Sequence, residues 1–97
     1  MLVERSMEKL EEAVLKAVDE YNKYRSPEAR ARLISIQEDR LTIDFEGIFC
    51  QTCGVYDYLE DFIYELQSFI DMNIEILNFK EYAPGKIRVE YGLKKTG

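Results

Sequence analysis

The spacing of apolar residues switches between two periods along this chain of 97 residues, and the switches follow a fixed order. Residues 6–24 and 55–70 repeat apolar side chains every three or four positions, which predicts amphipathic helices. Each of these segments is followed by two short stretches in which apolar and polar residues alternate, which predicts a β-hairpin after each helix. The sequence therefore predicts the element order α-β-β-α-β-β.

The predicted hairpins turn at Glu38-Asp39 and at Ala83-Pro84-Gly85-Lys86. Two helices with one apolar stripe each, and four strands with one apolar face each, can bury these faces only against one another. We therefore expect a single α+β domain over residues 1–97, a two-layer sandwich with two helices on one face of a four-stranded, mainly antiparallel sheet. The apolar residues expected on the buried faces of the strands are Ile34, Ile36, Leu41, Ile43, Phe45, Ile74, Ile76, Ile87, Val89 and Tyr91.

Composition excludes several classes of function. Thirteen Lys and Arg against nineteen Asp and Glu give a net charge of -6, which opposes binding to a nucleic-acid backbone. The chain has no histidine, which excludes serine-histidine catalysis and histidine-zinc sites. The apolar runs are shorter than the ~20 residues of a membrane span, and the start lacks a secretory layout, so a cytoplasmic protein that binds no membrane is expected.

The two cysteines, Cys50 and Cys53, form a C-x-x-C pair between a predicted strand and a predicted helix. Unpaired backbone amides at a helix start favour the thiolate, which is the form that binds metals and reacts. The pair is compatible with metal or cluster binding, with thiol redox chemistry, or with two small buried residues that hold no cofactor. A tetrahedral zinc or a cubane cluster needs about four ligands, so a second chain or a carboxylate such as Asp57 would have to complete the site.

The residues from Leu33 to Gly47, followed by Cys50-Gln51-Thr52-Cys53, resemble the C-terminal domain of NifU and its stand-alone relatives. These proteins are scaffolds and carriers of iron-sulfur clusters. The resemblance spans residues 6–78 in element order, and it implies that Cys50 and Cys53 are cluster ligands in a homodimer that bridges one cluster. Zinc is the alternative cofactor.

The chain departs from this family around the cysteines. It has Ile48-Phe49 where the family has one small residue, Gly54 where the family usually has proline, and Tyr56-Asp57-Tyr58 where the family has a Ser/Thr-rich helix start. These departures favour a second hypothesis, in which the fold is that of a non-catalytic protein-interaction domain and the cysteines are structural.

The middle of the chain is strongly acidic. Residues 41–79 contain eight carboxylates and no Lys or Arg, a local charge of -8. Such a field favours a divalent cation such as zinc over an anionic cluster. Glu60, Asp61 and Glu65 are expected to form a solvated acidic helix face, which could bind a basic protein partner. Some of the tyrosines are expected at the surface, where they could support self-association; the tyrosines considered are Tyr56, Tyr58, Tyr64, Tyr82 and Tyr91.

The sequence therefore favours a small iron-sulfur scaffold or carrier, or a metal-binding protein, that uses Cys50 and Cys53. The alternative is the interaction domain with structural cysteines. An enzyme is not expected, because no general base can be assigned. A thiol oxidoreductase stays open as a variant of that class.

Overall fold

The structure, a computed structural model, describes residues 2–25, 29–47 and 55–95. Cys50 and Cys53 lie outside the described residues. The predicted element order is confirmed, and the elements are α1 (Leu2–Arg25), β1 (Ala29–Ile36), β2 (Arg40–Gly47), α2 (Val55–Gln67), β3 (Met72–Ala83) and β4 (Lys86–Lys95).

The four strands form one antiparallel sheet in the order β1-β2-β4-β3. Strand β4 therefore lies between β2 and β3, although β3 precedes it in the chain. The helices pack on one face of this sheet, as the two-layer prediction requires. The opposite face carries no helix or strand of the described chain, and we call it the open face.

The core lies between the helices and the sheet, and it contains most of the residues that the spacing of apolar residues predicts to be buried. Strand β4 contributes Ile87, Val89, Tyr91 and Leu93, all buried at alternate positions. The rings of Tyr21, Phe45 and Phe62 pack edge to face, with centroids 5.4 to 5.9 Å apart. Burial of such large side chains is the main favourable term in folding a chain of this size. The other buried apolar residues are Leu10, Ala13, Val14, Ala17, Ala29, Ala31, Leu41, Ile43, Leu59, Leu66 and Met72.

The prediction that Ile34 and Ile36 share the buried face of β1 is wrong for Ile34. The register shifts between Leu33 and Ser35, so that Leu33 pairs with Ile43 and Ser35 with Thr42. An extra residue in one strand changes which side chains face the core. Leu33 and Ile36 consequently pack against the core, and Ile34 is exposed.

The bounds of the helices also differ from those that the spacing of apolar residues predicts. Helix α1 begins at Leu2, four residues before the predicted start at Ser6. Helix α2 ends at Gln67 rather than near Ile70, where the amides of Ser68 and Phe69 bond three residues back, to the carbonyls of Glu65 and Leu66, and tighten the last turn.

The turn between β3 and β4 fixes the end of β2. Gly85 has φ of +72°, the left-handed region that glycine adopts without strain. Its carbonyl accepts a hydrogen bond of 2.9 Å from the amide of Gly47, the last residue of β2. The point at which the chain leaves β2 towards the cysteines is thereby held against the second hairpin.

Candidate functional site on the open face of the sheet

The sequence-predicted ligands Cys50 and Cys53 lie in the connection between β2 and α2, which is outside the described residues. Among the residues that the structure describes, no group of three or more Cys, Asp or Glu side chains is placed to hold a metal ion. Asp57, the carboxylate considered as a zinc ligand, is exposed in the first turn of α2. The metal, cluster and dimer hypotheses therefore stay predictions.

The best-defined polar site of the described residues is on the open face of the sheet. Cross-strand partners in an antiparallel sheet point to the same side, so the register assigns the residues of this face. It carries seven cationic side chains and four carboxylates, a net charge of +3 on a chain whose net charge is -6. The cations are Arg30, Arg32, Arg40, Lys80, Lys86, Arg88 and Lys94, and the carboxylates are Asp44, Glu46, Glu75 and Glu90.

Asp44 is the centre of this face. Its side chain is 6% exposed, although no helix covers it. Arg88 binds it with two hydrogen bonds, from Nε to Oδ1 at 2.7 Å and from Nη2 to Oδ2 at 3.0 Å. The hydroxyl of Tyr82 donates to Oδ2 at 2.9 Å, and Nη2 of Arg32 lies 3.7 Å from the same oxygen. Side chains from the other three strands thus cover this carboxylate, and both of its oxygens accept hydrogen bonds.

These contacts change the acid-base properties of the group. The hydrogen bonds from Arg88 hold the pKa of Asp44 below its usual value, and Tyr82 and Arg32 act in the same direction against the effect of burial. The same hydrogen bonds raise the pKa of Arg88 and of Tyr82. Asp44 is therefore a carboxylate that stays ionised at neutral pH, which suits it to holding cations in place and not to donating a proton.

Asp44 orients two groups that face solvent. The guanidinium of Arg88 is 50% exposed and stacks over the ring of Tyr82, with 5.0 Å between the guanidinium carbon and the ring centroid. An arginine fixed by a bidentate carboxylate loses little further side-chain entropy when a ligand binds its remaining N–H groups. The arrangement can therefore recognise an anionic group without first ordering the arginine.

The other carboxylates of the open face have weaker partners. Glu90 lies 3.8 Å from Arg40 and accepts a hydrogen bond from the side-chain amide of Asn78. Glu46 lies 4.0 Å from Lys86. Exposed pairs of this kind stabilise a fold little. Arg30, Lys80 and Lys94 have no ion pair with any described residue and make up most of the positive excess.

The acidic helix face is only partly solvated, which corrects the expectation for Asp61 and Glu65. Arg25, the last residue of α1, lies 3.3 Å from Asp61 and 3.2 Å from Glu65. Its guanidinium also stacks over the ring of Tyr21 at 4.6 Å. These two carboxylates join α2 to α1, so the surface they offer to a basic partner is reduced.

Tyr91 is not one of the tyrosines at the surface. Its ring is fully buried, and its hydroxyl donates to the carbonyl of Leu59 at 2.8 Å. Tyr56, Tyr64 and Tyr82 are exposed as expected. The bond between Tyr82 and Asp44 gives this side chain a place in the open-face site, which the sequence argument did not assign to it.

Sequence reasoning missed the Asp44 site, because it counted this residue as one of eight acids in an acidic stretch. One signal was available. Asp44 alternates with Ile43 and Phe45, and Arg88 with Ile87 and Val89, so both were predictable as outward residues. Arg32 and Lys80 were not, because they reach the open face only through the register shifts after Leu33 and after Ile76.

Neither described helix is long and apolar enough to cross a membrane. Comparisons of the chain with protein-family models, with curated proteins and with solved structures found no match.

Proposed function

We propose that this protein is a binding domain whose open sheet face recognises a protein partner. The observation that carries this proposal is the burial of Asp44 beneath Arg32, Arg88 and Tyr82. A carboxylate on the uncovered face of a small sheet would ordinarily be solvated, and three side chains here enclose it. Arginine and tyrosine are, with tryptophan, the residue types enriched at the energetic centres of protein interfaces.

The charge distribution supports this reading. Helix α2 has four carboxylates and no cation, whereas the open face has a net charge of +3. The charges of the chain are thus separated between its two layers. Complementary charge selects partners and sets the orientation in which they dock.

Position-specific photocrosslinking in the source cells tests the proposal. A benzophenone amino acid is placed at Ser35 or Asn78, both exposed on the open face, and in a control at Glu11, which is exposed on α1. We expect one discrete crosslinked protein from the two open-face positions and none from Glu11. Crosslinks of equal yield from all three positions, or from the control alone, would contradict the proposal.

We propose metal or iron-sulfur cluster carriage by Cys50 and Cys53 as a second function. The observation in its favour is the position of the pair, since β2 ends at Gly47 and α2 begins at Val55, so the pair lies between a strand end and a helix start. The hydrogen bond between Gly47 and Gly85 holds one end of this connection. The confirmed element order agrees with the order that the NifU resemblance implies, and it supports the hypothesis to that extent.

Metal analysis of the purified protein separates zinc, iron and no metal in one measurement. Anaerobic reconstitution with iron and sulfide, followed by an absorption spectrum of wild type and of Cys50→Ser, tests the cluster. We expect a coloured wild type, a colourless variant, and a dimer by light scattering that dissociates with a chelator. Colourless products from both proteins would remove the cluster hypothesis and leave the open-face proposal untouched.

A further inference from the structure

Four side chains form a row across all four strands of the open face. The register pairs Arg32 of β1 with Asp44 of β2, Asp44 with Arg88 of β4, and Arg88 with Lys80 of β3. We call Arg32, Arg88 and Lys80 the cationic row. The three cations and the one carboxylate have a net charge of +2. The row spans about 14 Å, because neighbouring strands are ~4.8 Å apart.

The cationic row has unused donors. A guanidinium has five N–H groups. Asp44 accepts two from Arg88, so three remain on a side chain that is half exposed. Arg32 is 74% exposed and touches Asp44 only at 3.7 Å, and Lys80 has no ion pair with a described residue. Each member can therefore accept a new anionic neighbour without breaking the bidentate contact that keeps Asp44 buried.

We propose that the cationic row binds an acidic segment of a partner protein, which lies across the strands with carboxylates against Arg32, Arg88 and Lys80. This inference rests on the proposed binding function and names the chemistry of the partner. The cations are spread over a sheet surface and do not converge on one point. The arrangement therefore fits several carboxylates along a chain better than one small anion.

An apolar side chain also lies on the open face, three residues along β3 from Lys80. A Cβ built at Gly92 would be 3.0 Å from the side chain of Leu77, which therefore lies over Gly92 on the open face. Leu77 and Tyr82 are both exposed. An acidic segment with an apolar residue among its carboxylates would cover the ring of Tyr82, which stacks on Arg88, and exclude water from the arginine contacts, which strengthens them.

Two other occupants fit less well. The most acidic surface of a second copy is α2, and two of its four carboxylates, Asp61 and Glu65, are already paired with Arg25. A nucleic acid presents phosphates continuously, so it would extend from the row to the acidic remainder of a chain with a net charge of -6. A short acidic segment needs to contact only the row.

Titration of isotope-labelled protein with hexaglutamate, followed by NMR of the backbone amides and the arginine Nε–H groups, tests the inference. The variant Arg32→Gln/Lys80→Gln removes two cations of the row and leaves Asp44, Arg88 and Tyr82 intact. The matched control Lys16→Gln/Lys23→Gln removes two exposed lysines of α1, so the net charge changes equally. Hexalysine and a single-stranded oligonucleotide of equal charge are titrated as further probes.

We expect shifts confined to the open face, including the Nε–H of Arg88. The row variant loses two exposed charged contacts, so it should bind about two- to thirtyfold more weakly, and the control should change by less than about twofold. Equal loss in both variants would show attraction by total charge and overturn the inference, as would shifts located on α1 and α2.

The remaining outcomes are also decisive. Tighter binding of the oligonucleotide than of hexaglutamate would replace the acidic segment with a nucleic acid. Concentration-dependent shifts of the open face without any peptide would replace it with a second copy. If the crosslinks from Ser35 and Asn78 form but hexaglutamate does not bind, the binding function stands and the acidic-segment inference fails. If the crosslinks are absent as well, both fail.

Discussion

Replacing Asp44 with alanine should destabilise the protein far more than the same replacement at Glu46. The two carboxylates lie on the same face of β2, two residues apart, and each has a cationic cross-strand neighbour in β4. Their environments differ, because the Asp44 side chain is 6% exposed and the Glu46 side chain 66%. The pair of variants therefore compares a buried and an exposed carboxylate on one surface.

The magnitude follows from the contacts. Asp44→Ala removes the acceptor of three hydrogen bonds, two from Arg88 and one from Tyr82. Hydrogen bonds to charged groups contribute about 1.5–3 kcal/mol each when buried. Arg88 is half exposed and water replaces part of the interaction, so we expect a total loss of about 2–3 kcal/mol. Glu46 has one ion pair at 4.0 Å, so Glu46→Ala should cost less than about 0.5 kcal/mol.

Urea unfolding at neutral pH, followed by far-UV circular dichroism, measures the difference. A chain of this length should have a denaturant slope of ~1–1.5 kcal/mol per M, so the midpoint should fall by about 2 M for Asp44→Ala and by less than about 0.5 M for Glu46→Ala. Similar midpoints for the two variants would refute the reasoning, because the enclosed carboxylate would then contribute no more than an exposed one.

Acid provides a second check on the same residue. The folded-state pKa of Asp44 lies below its unfolded value of ~3.9, so its contribution to stability is fully present above about pH 4–5 and is lost as pH falls through the folded-state pKa. The stability difference between wild type and Asp44→Asn should therefore shrink as the pH is lowered below about 4. A difference that is constant between neutral pH and pH 2 would contradict this assignment.

Three further outcomes are expected in the same unfolding assay. Gly85→Ala should cost more than about 1 kcal/mol, because φ is +72° and a Cβ would lie 2.8 Å from the carbonyl oxygen of Gly47, whereas Gly92→Ala, which meets one exposed leucine side chain, should cost less. Tyr91→Phe should lose about 1 kcal/mol with the bond to the Leu59 carbonyl. Burial raises the pKa of Tyr91, so its contribution is present below pH ~10 and is lost at higher pH, and wild type should lose stability above pH ~10 more steeply than Tyr91→Phe.

The fold was predictable because the spacing of apolar residues indicates which side chains of a helix or strand are buried. Ile87, Val89 and Tyr91 alternate with charged residues, and all three are buried on the helix side of the sheet. The error at Ile34 has a physical cause, since an irregularity in strand register depends on the partner strand and leaves no signature in the residues of β1 alone. The tyrosine count alone did not say which tyrosines are exposed, because a tyrosine can bury its ring wherever a carbonyl accepts a hydrogen bond from its hydroxyl, as Leu59 does for Tyr91.

The candidate site was much less predictable, because it depends on strand order. Asp44 and Arg88 are 44 residues apart in the chain and become neighbours only because β4 inserts between β2 and β3. The sequence places Asp44 in a stretch of -8, yet the cations that enclose it, Arg32 and Arg88, come from outside that stretch. The charge of this stretch of sequence therefore did not predict the charge that surrounds Asp44 in the folded protein.

The difference between charge along the sequence and charge on a surface also limits which partners the net charge of the chain can exclude. A helix is about 10 Å across, so the layer of α1 and α2 separates the outer carboxylates of α2 from the open face by more than the ~8 Å over which charges act at physiological salt. Each surface then acts by its own charge, not by the total of -6. An acidic partner is repelled where it meets α2 and attracted where it meets Arg32, Arg88 and Lys80. This pattern selects one docking orientation and increases the rate at which that orientation is reached.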